Sequence, residues 1–277
     1  MVNSKIIASY GHGTENDFVI VYDPNQKLEL NPEQISKICN RKTGLGADGL
    51  IRVVDENFPR LEGNNPKWFM DYRNQDGSLA EMCGNGIRVM ARFLVKNKLQ
   101  PAGIFSINTR AGRKFLSVPE YDEISVNMGK VELVDEGVEV ESNGHLFSNG
   151  LNISVGNPHA VVQVDDMEMI KDLTQAPKVS PAYQFPDGVN VEFIEFVGEQ
   201  EVKMRVHERG VGETKSCGTG VCAVGLAATI FSGKNLPVTW LVNPPGGKLK
   251  VEIDRDSNAV LTGPAVLIKE IDLVEFM

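Results

Sequence analysis

The sequence predicts an α+β fold of two pseudo-symmetric domains, each a curved, mostly antiparallel sheet or barrel around a central helix. Three observations lead there. Short β-rich runs dominate the chain, punctuated by Gly, Pro, Asn and Asp. Two helical stretches stand out, each preceded and followed by such runs. Several segments also recur in the same order: Thr14–Val21 resembles Gly156–Val162, Ala47–Ile51 resembles Pro186–Asn190, and Ala111–Lys114 resembles Pro245–Lys248. Their offset is nearly constant at about 140 residues, too long for a solenoid and suited to a duplicated domain.

In the first half the predicted strands are Phe18–Tyr22, Leu50–Val54, Trp68–Arg73, Phe105–Thr109 and Lys114–Val118. Asn31 and Pro32 mark the start of a helix that carries Cys39. The stripe Ile87, Met90, Ala91 and Leu94 predicts a helix over Gly86–Lys96 with one buried face. In the second half the strands are Leu151–Val155, Ala160–Val164, Val189–Phe196, Lys203–His207, Val238–Val242 and Leu249–Ile253. The helix Gly220–Phe231 is apolar nearly all round and belongs inside its domain. The domain break is placed near Pro119–Ser125, and Leu267–Phe276 is expected to return to the first domain as a strand. That gives residues 1–122 with 267–277 as the N-terminal domain and 123–266 as the C-terminal domain.

At 277 residues the chain is long enough for two real cores, and 42% hydrophobic with 23% charged residues is the balance of an ordinary globular protein. A formal charge of −9 argues against a nucleic-acid partner, which calls for a basic surface. Met1-Val2-Asn3-Ser4-Lys5 leads into no signal-peptide core, and no apolar run reaches membrane-spanning length. The expected location is the cytoplasm, where thiols stay reduced. Cys39 and Cys222 read as small buried hydrophobes. There is no Cys-x-x-Cys, and His12, His145, His159 and His207 lack zinc-ligand spacing, so no metal is expected.

The repeat matters because each copy carries a cysteine in the same setting. Cys83-Gly84-Asn85-Gly86 and Cys217-Gly218-Thr219-Gly220 each open one of the two helices. A glycine-rich turn into a helix aims backbone N–H groups at an anion. The same field is expected to lower a thiol's pKa. Two such thiols, brought to one interdomain cleft by a pseudo-twofold arrangement, suit proton transfer at a stereocentre. One removes a proton from one face and the other delivers one to the opposite face. An amino-acid substrate would need its carboxylate held by strong donors, which the two helix N-termini would supply from Gly84, Asn85, Gly218 and Thr219. No dinucleotide fingerprint stands in the required context and no clear pyridoxal-phosphate site is visible, so the reading has no cofactor.

Tyr72–Arg88 and Glu208–Gly220 resemble the two cysteine signatures of the diaminopimelate epimerase family, and Gly156–His159 and Gly188–Asn190 match it as well. The resemblance runs along essentially the whole chain. It implies a cofactor-independent isomerase that interconverts LL- and meso-diaminopimelate, a step of bacterial lysine and peptidoglycan precursor synthesis. It implies Cys83 and Cys217 as the acid/base pair. Gly84, Asn85, Gly218 and Thr219 would grip the reacting carboxylate with Asn16 nearby. Asn74, Asn157, Asn190 and Arg209 would hold the distal end, Glu208 would bind an amino group, and His159 would support the thiols. It also implies a homodimer. Three features depart from the family pattern: Gly13-Thr14-Glu15 replaces a glycine-rich segment, Gly49 stands where relatives carry glutamine, and Phe58–Lys67 reads as a loop extension. Arg73, Arg88, Arg113 and Lys215 read as surface charges.

Two competing functions come from the same residues. A proline or hydroxyproline racemase also uses paired cysteines, but more often has histidine where this chain has Asn85, and needs no distal clamp. A redox-sensing amino-acid-binding protein would use Cys83 and Cys217 without turnover.

Overall fold

The structure, a computed structural model, describes residues 5–57 and 67–276. Met1–Ser4 and all but the last residue of the predicted loop extension Phe58–Lys67 lie outside the described residues. The chain divides into two compact units, Met1–Val126 with Pro264–Met277, and Asn127–Gly263.

In the first unit β1 (Ile7–Gly13) and β2 (Asn16–Tyr22) form an antiparallel hairpin that sets Gly13 opposite Asn16. Thr14 and Glu15 close it at φ 50° and 56°, left-handed values usually left to glycine. α1 (Pro32–Cys39) follows, with Asn31 and Gln34 forming a reciprocal capping box. β3 (Gly49–Asp55) lies parallel to β2 and antiparallel to β4 (Trp68–Asn74), which sets Gly49 opposite Asn74. α2 (Gly84–Lys96) comes next, then the hairpin β5 (Gly103–Thr109) and β6 (Gly112–Val118). β7 (Ile124–Lys130) carries the chain across the boundary between the units. α2 packs against β1, β2, β3, β4 and β6. The core includes Phe18, Ile20, Ile51, Met70, Ile87 and Met90, each under 2% exposed. Fully burying such a side chain is worth about 1.5–3 kcal/mol, so the helix is held chiefly by its apolar face.

In the second unit β8 (Glu132–Ser142) and β9 (His145–Ser154) form a hairpin interrupted by register shifts. β10 (Pro158–Gln163) pairs with β9, and β11 (Lys178–Ser180) pairs with β8. β12 (Asn190–Gly198) runs parallel to β10, in a register that places His159 beside Asn190. β13 (Glu201–Glu208) and β14 (Gly212–Thr214) continue antiparallel, then α3 (Gly218–Phe231) crosses the unit. β15 (Val238–Asn243), β16 (Leu249–Ile253) and β17 (Asn258–Gly263) form the final antiparallel run, with β15 parallel to β13. α3 packs against β9, β10, β12, β13, β15, β16 and β17, and Val221–Ala228 are buried without a break. That matches its all-round apolar sequence. A Cβ on Gly225 would meet Val251 Cγ1 at 2.6 Å, so helix and strand touch there. Finally β18 (Val266–Asp272) returns to the first unit and pairs antiparallel with β1.

The predicted α+β class, dominated by strands with a helix packed on them in each unit, is the architecture found. Beyond strands that the sequence did not mark, the ends of three elements differ from the sequence reading. Both central helices begin two residues earlier than predicted, directly after the cysteines. The C-terminal segment is a strand only to Asp272; Leu273–Phe276 is a 3-10 turn. The reason is local: Asp272 Oδ1 accepts from Ile6 N and Val274 N, and Leu273 turns inward to full burial. Among the described residues no helix is long and apolar enough to cross a membrane.

Candidate active site

The two cysteines are the N-cap residues of α2 and α3. Cys83 has φ −134° and ψ 119°, and its Sγ accepts from Gly86 N at 3.4 Å. Cys217 has φ −122° and ψ 117°, and its Sγ accepts from Gly220 N at 3.4 Å. Extended backbone at the cap followed by helix is what N-capping demands. The first-turn N–H groups of Gly84, Asn85, Gly218 and Thr219 lie outside the helices' own ladders and share the positive end of each helix dipole.

In the first unit the structure brings Asn16, Cys83, Gly84 and Asn85 together. Asn16 Oδ1 accepts from Asn85 Nδ2 at 3.3 Å and from the Cys83 thiol at 3.6 Å. Asn16 Nδ2 donates to Asp48 Oδ2 at 2.7 Å, which fixes the amide's orientation. Behind Asn85 lies Arg88, 0% exposed. It donates to Asn85 Oδ1 at 2.8 Å and to Gly84 O at 3.0 Å, and Thr14 adds its hydroxyl to Asn85 Oδ1 at 3.3 Å. Arg88 is therefore a buried anchor rather than the surface charge its sequence context suggested. Asn74 stands apart from this network. Its side chain bonds Ser78 Oγ at 3.0 Å, and its backbone closes the turn at Gly77 and Ser78.

In the second unit Asn157, His159, Glu208, Cys217 and Thr219 form one connected set. Cys217 Sγ lies 3.5 Å from Thr219 Oγ1, which accepts from Asn157 Nδ2 at 3.4 Å. Asn157 Oδ1 lies 3.2 Å from His159 Nε2. His159 Nδ1 lies 2.7 Å from Glu192 Oε1, with both side chains 0% exposed. Glu208 is held by the Thr214 hydroxyl, and its carboxylate is near enough to Cys217 for the two to act on each other electrostatically. Asn190 and Arg209 form a neighbouring pair: Asn190 Oδ1 accepts from Arg209 N at 2.9 Å, and the Arg209 guanidinium donates to Asp187 O at 3.1 Å.

The electrostatics of Cys217 reverse the expected lowered thiol pKa. Burial pushes this thiol well up, and the Glu208 and Glu192 carboxylates push it further. The Thr219 hydroxyl and Gly220 N–H favour the thiolate but are outweighed. Burial likewise raises Glu208, against the lowering effect of the Thr214 hydroxyl and the Cys217 thiol. In this unit the helix terminus meets two carboxylates, Glu208, expected at the site as an amino-group ligand, and Glu192, which sequence reasoning did not weigh.

Arg88, Thr14, Asp48 and Glu192 were missed as contributors. Two of them carried a readable signal. Arg88 lies four residues after Gly84 and three after Asn85, the spacing that places side chains on one helix face. Glu192 lies two residues after Asn190 in a strand, and therefore on the same face.

The sequence profile described as diaminopimelate epimerase matches residues 8–134 and 151–268. The chain is 44% identical over 277 residues to a diaminopimelate epimerase of Streptomyces coelicolor, covering 97% of this chain and 96% of that protein. It is 43% identical over 270 residues to one of Thermobifida fusca, covering 95% and 96%. Among solved structures it resembles a Bacillus anthracis phenazine biosynthesis protein of the PhzF family, with TM-score 0.73 and 16% identity over 97% of this chain and 99% of that one. It also resembles an Agrobacterium vitis hydroxyproline epimerase with bound trans-4-hydroxy-L-proline, with TM-score 0.71 and 13% identity over 98% and 92%. At those identities the two structures bear on the fold alone.

Proposed function

Because the chain belongs to the diaminopimelate epimerase family, we propose that it interconverts LL- and meso-diaminopimelate without a cofactor, in lysine and peptidoglycan precursor synthesis. Cys83 and Cys217 are the acid/base pair. One, as thiolate, takes the α-proton; the other, as thiol, delivers a proton to the opposite face, and the reverse reaction exchanges the roles. The observation that carries this reading is that both cysteines are N-caps of helices opening with Cys-Gly-x-Gly.

Negative charge develops on the substrate carboxylate as the α-proton leaves. The first-turn N–H groups of Gly84, Asn85, Gly218 and Thr219 are the donors proposed for it, with Asn16 beside them. Asn74, Asn157, Asn190 and Arg209 hold the distal end, and Glu208 takes an amino group. His159 supports the site next to the thiols. Clamping the end that does not react holds the α-carbon in register for both steps. We further propose a cytoplasmic homodimer, with sedimentation velocity as the check on assembly.

The test is incubation with LL-diaminopimelate in deuterium oxide under reducing conditions. Formation of the meso isomer with α-deuterium, abolished by Cys83→Ala or Cys217→Ala, is the expected result. Folded protein that neither inverts nor exchanges this substrate overturns the reading. Exchange into free proline instead would select the racemase, and exchange into no amino acid would leave a binding protein.

A further inference from the structure

A buried acid sits behind the first turn of α3, and the proposed reaction does not use it. Glu192 is 0% exposed, and its Oε2 has no hydrogen-bond partner among the described residues. Its Oε1 lies 2.7 Å from His159 Nδ1, and 2.7 Å from the point where a Cβ on Gly220 would stand. The carboxylate therefore lies against the inner side of the helix N-terminus, where negative charge is favoured. At the equivalent glycine of the first unit, Gly86, the nearest atoms are instead apolar ones of Met70, Ile51 and Phe18. The two cysteine cradles are alike in sequence and unlike beneath.

Hydrogen-bond chemistry fixes the protons along this path. Asn157 turns its Nδ2 to the Thr219 hydroxyl and its Oδ1 to His159 Nε2. An amide oxygen only accepts, so Nε2 carries hydrogen. A second hydrogen lies in the short contact between Nδ1 and the Glu192 carboxyl, which gives the buried acid a hydrogen-bond partner. The path Glu192, His159, Asn157, Thr219 ends on the Cys217 sulfur.

We propose that Glu192 is a positioning residue for Cys217: it holds His159 with hydrogen on Nε2 and, through Asn157 and Thr219, fixes the thiol in the setting from which it gives its proton. This rests on the epimerase reading for its catalytic meaning. The ionisable groups around Cys217 in its own unit are Glu208 from β13, Glu192 from β12 and, next to both acids, His159 from β10. Replacing Glu192 by its neutral isostere removes one of the two carboxylates that oppose ionisation of the thiol.

The experiment compares Cys83→Ala with Cys83→Ala/Glu192→Gln, following iodoacetamide alkylation of Cys217 against pH and locating the label by peptide mass. The expected result is a midpoint moved to lower pH in the double variant. With both cysteines present, Glu192→Gln is expected to lower kcat by about tenfold with KM within about twofold, and Glu192→Asp to recover part of the loss. An unmoved midpoint, or an unchanged kcat, overturns the proposal. If Glu192→Gln does not fold, nitrogen NMR of the His159 ring in the unaltered protein decides it. Hydrogen on Nε2 at neutral pH supports the path, and a bare Nε2 overturns it. Alkylation and NMR need no turnover. Unaltered protein that exchanges no α-deuterium removes the epimerase reading while these results stand; an active protein with an unmoved midpoint removes Glu192 alone.

Discussion

Arg88 holds Asn85: a fully buried guanidinium donates to the amide oxygen at 2.8 Å and so turns the amide nitrogen toward Asn16. The fork also reaches Gly84 O, Thr14 Oγ1 and Pro264 O. A lysine at this position supplies one compact charge and cannot span four acceptors. Arg88→Lys is expected to lose about 1–3 kcal/mol of stability from unsatisfied buried acceptors and to raise KM. The denaturant midpoint and steady-state kinetics check it; an unchanged KM would mean that Asn85 keeps its orientation without the fork.

Chemistry and capping can be separated at the two cysteines. Sulfur accepts the cap bond at 3.4 Å in both helices, whereas serine is among the preferred N-caps. Cys83→Ser and Cys217→Ser are therefore expected to keep or slightly raise the thermal midpoint. Epimerisation should fall by roughly 10²–10⁴-fold, the usual contribution of a general acid or base. Thermal melts with α-deuterium exchange check this. A variant that loses stability along with activity would assign its cysteine a structural role.

Asp71 gives the first unit a dependence on acid. It is 5% exposed and contacts Arg52, Arg73 and Arg110. Burial opposes its charge, but bonds from Arg73 and Arg110 hold its carboxyl below the usual Asp value. The unfolded chain therefore binds the proton first. The stabilisation is fully present above about pH 3.9, the ordinary Asp value, and is lost as pH falls through the lower folded value. Asp71→Asn should flatten that part of the stability curve, read from urea midpoints across the acid range. An unchanged slope would place the acid sensitivity elsewhere.

Much of the fold was legible because its buried strands are apolar and bounded by turn residues. Of the strands that sequence reading did not name, β1, β7 and β17 carry that signature and three lack it. Glu132–Gly137 in β8 are all exposed, so no alternation marks them. β11 and β14 have only three residues each, too short for a period to appear. At the site the cysteines were legible from the repeat, because their motif is both local and duplicated. The environment of Cys217 was not. Its raised pKa depends on Glu192 and Glu208, which lie 25 and 9 residues away in sequence on two strands. Asn74 shows a second layer the motif does not reveal, since its side chain also closes a turn with Ser78.

The pairing of β1 with β18 has a consequence for biogenesis. The second unit is one continuous stretch, Asn127–Gly263, whereas the first needs Pro264–Met277 to complete its sheet. During synthesis β18, the second strand partner of β1, emerges only after the whole second unit has been made. Until then the β1 edge that β18 will cover is open to wrong partners. The unit that starts first thus finishes last, and damage confined to residues 266–272 would strike the half of the protein encoded at the other end.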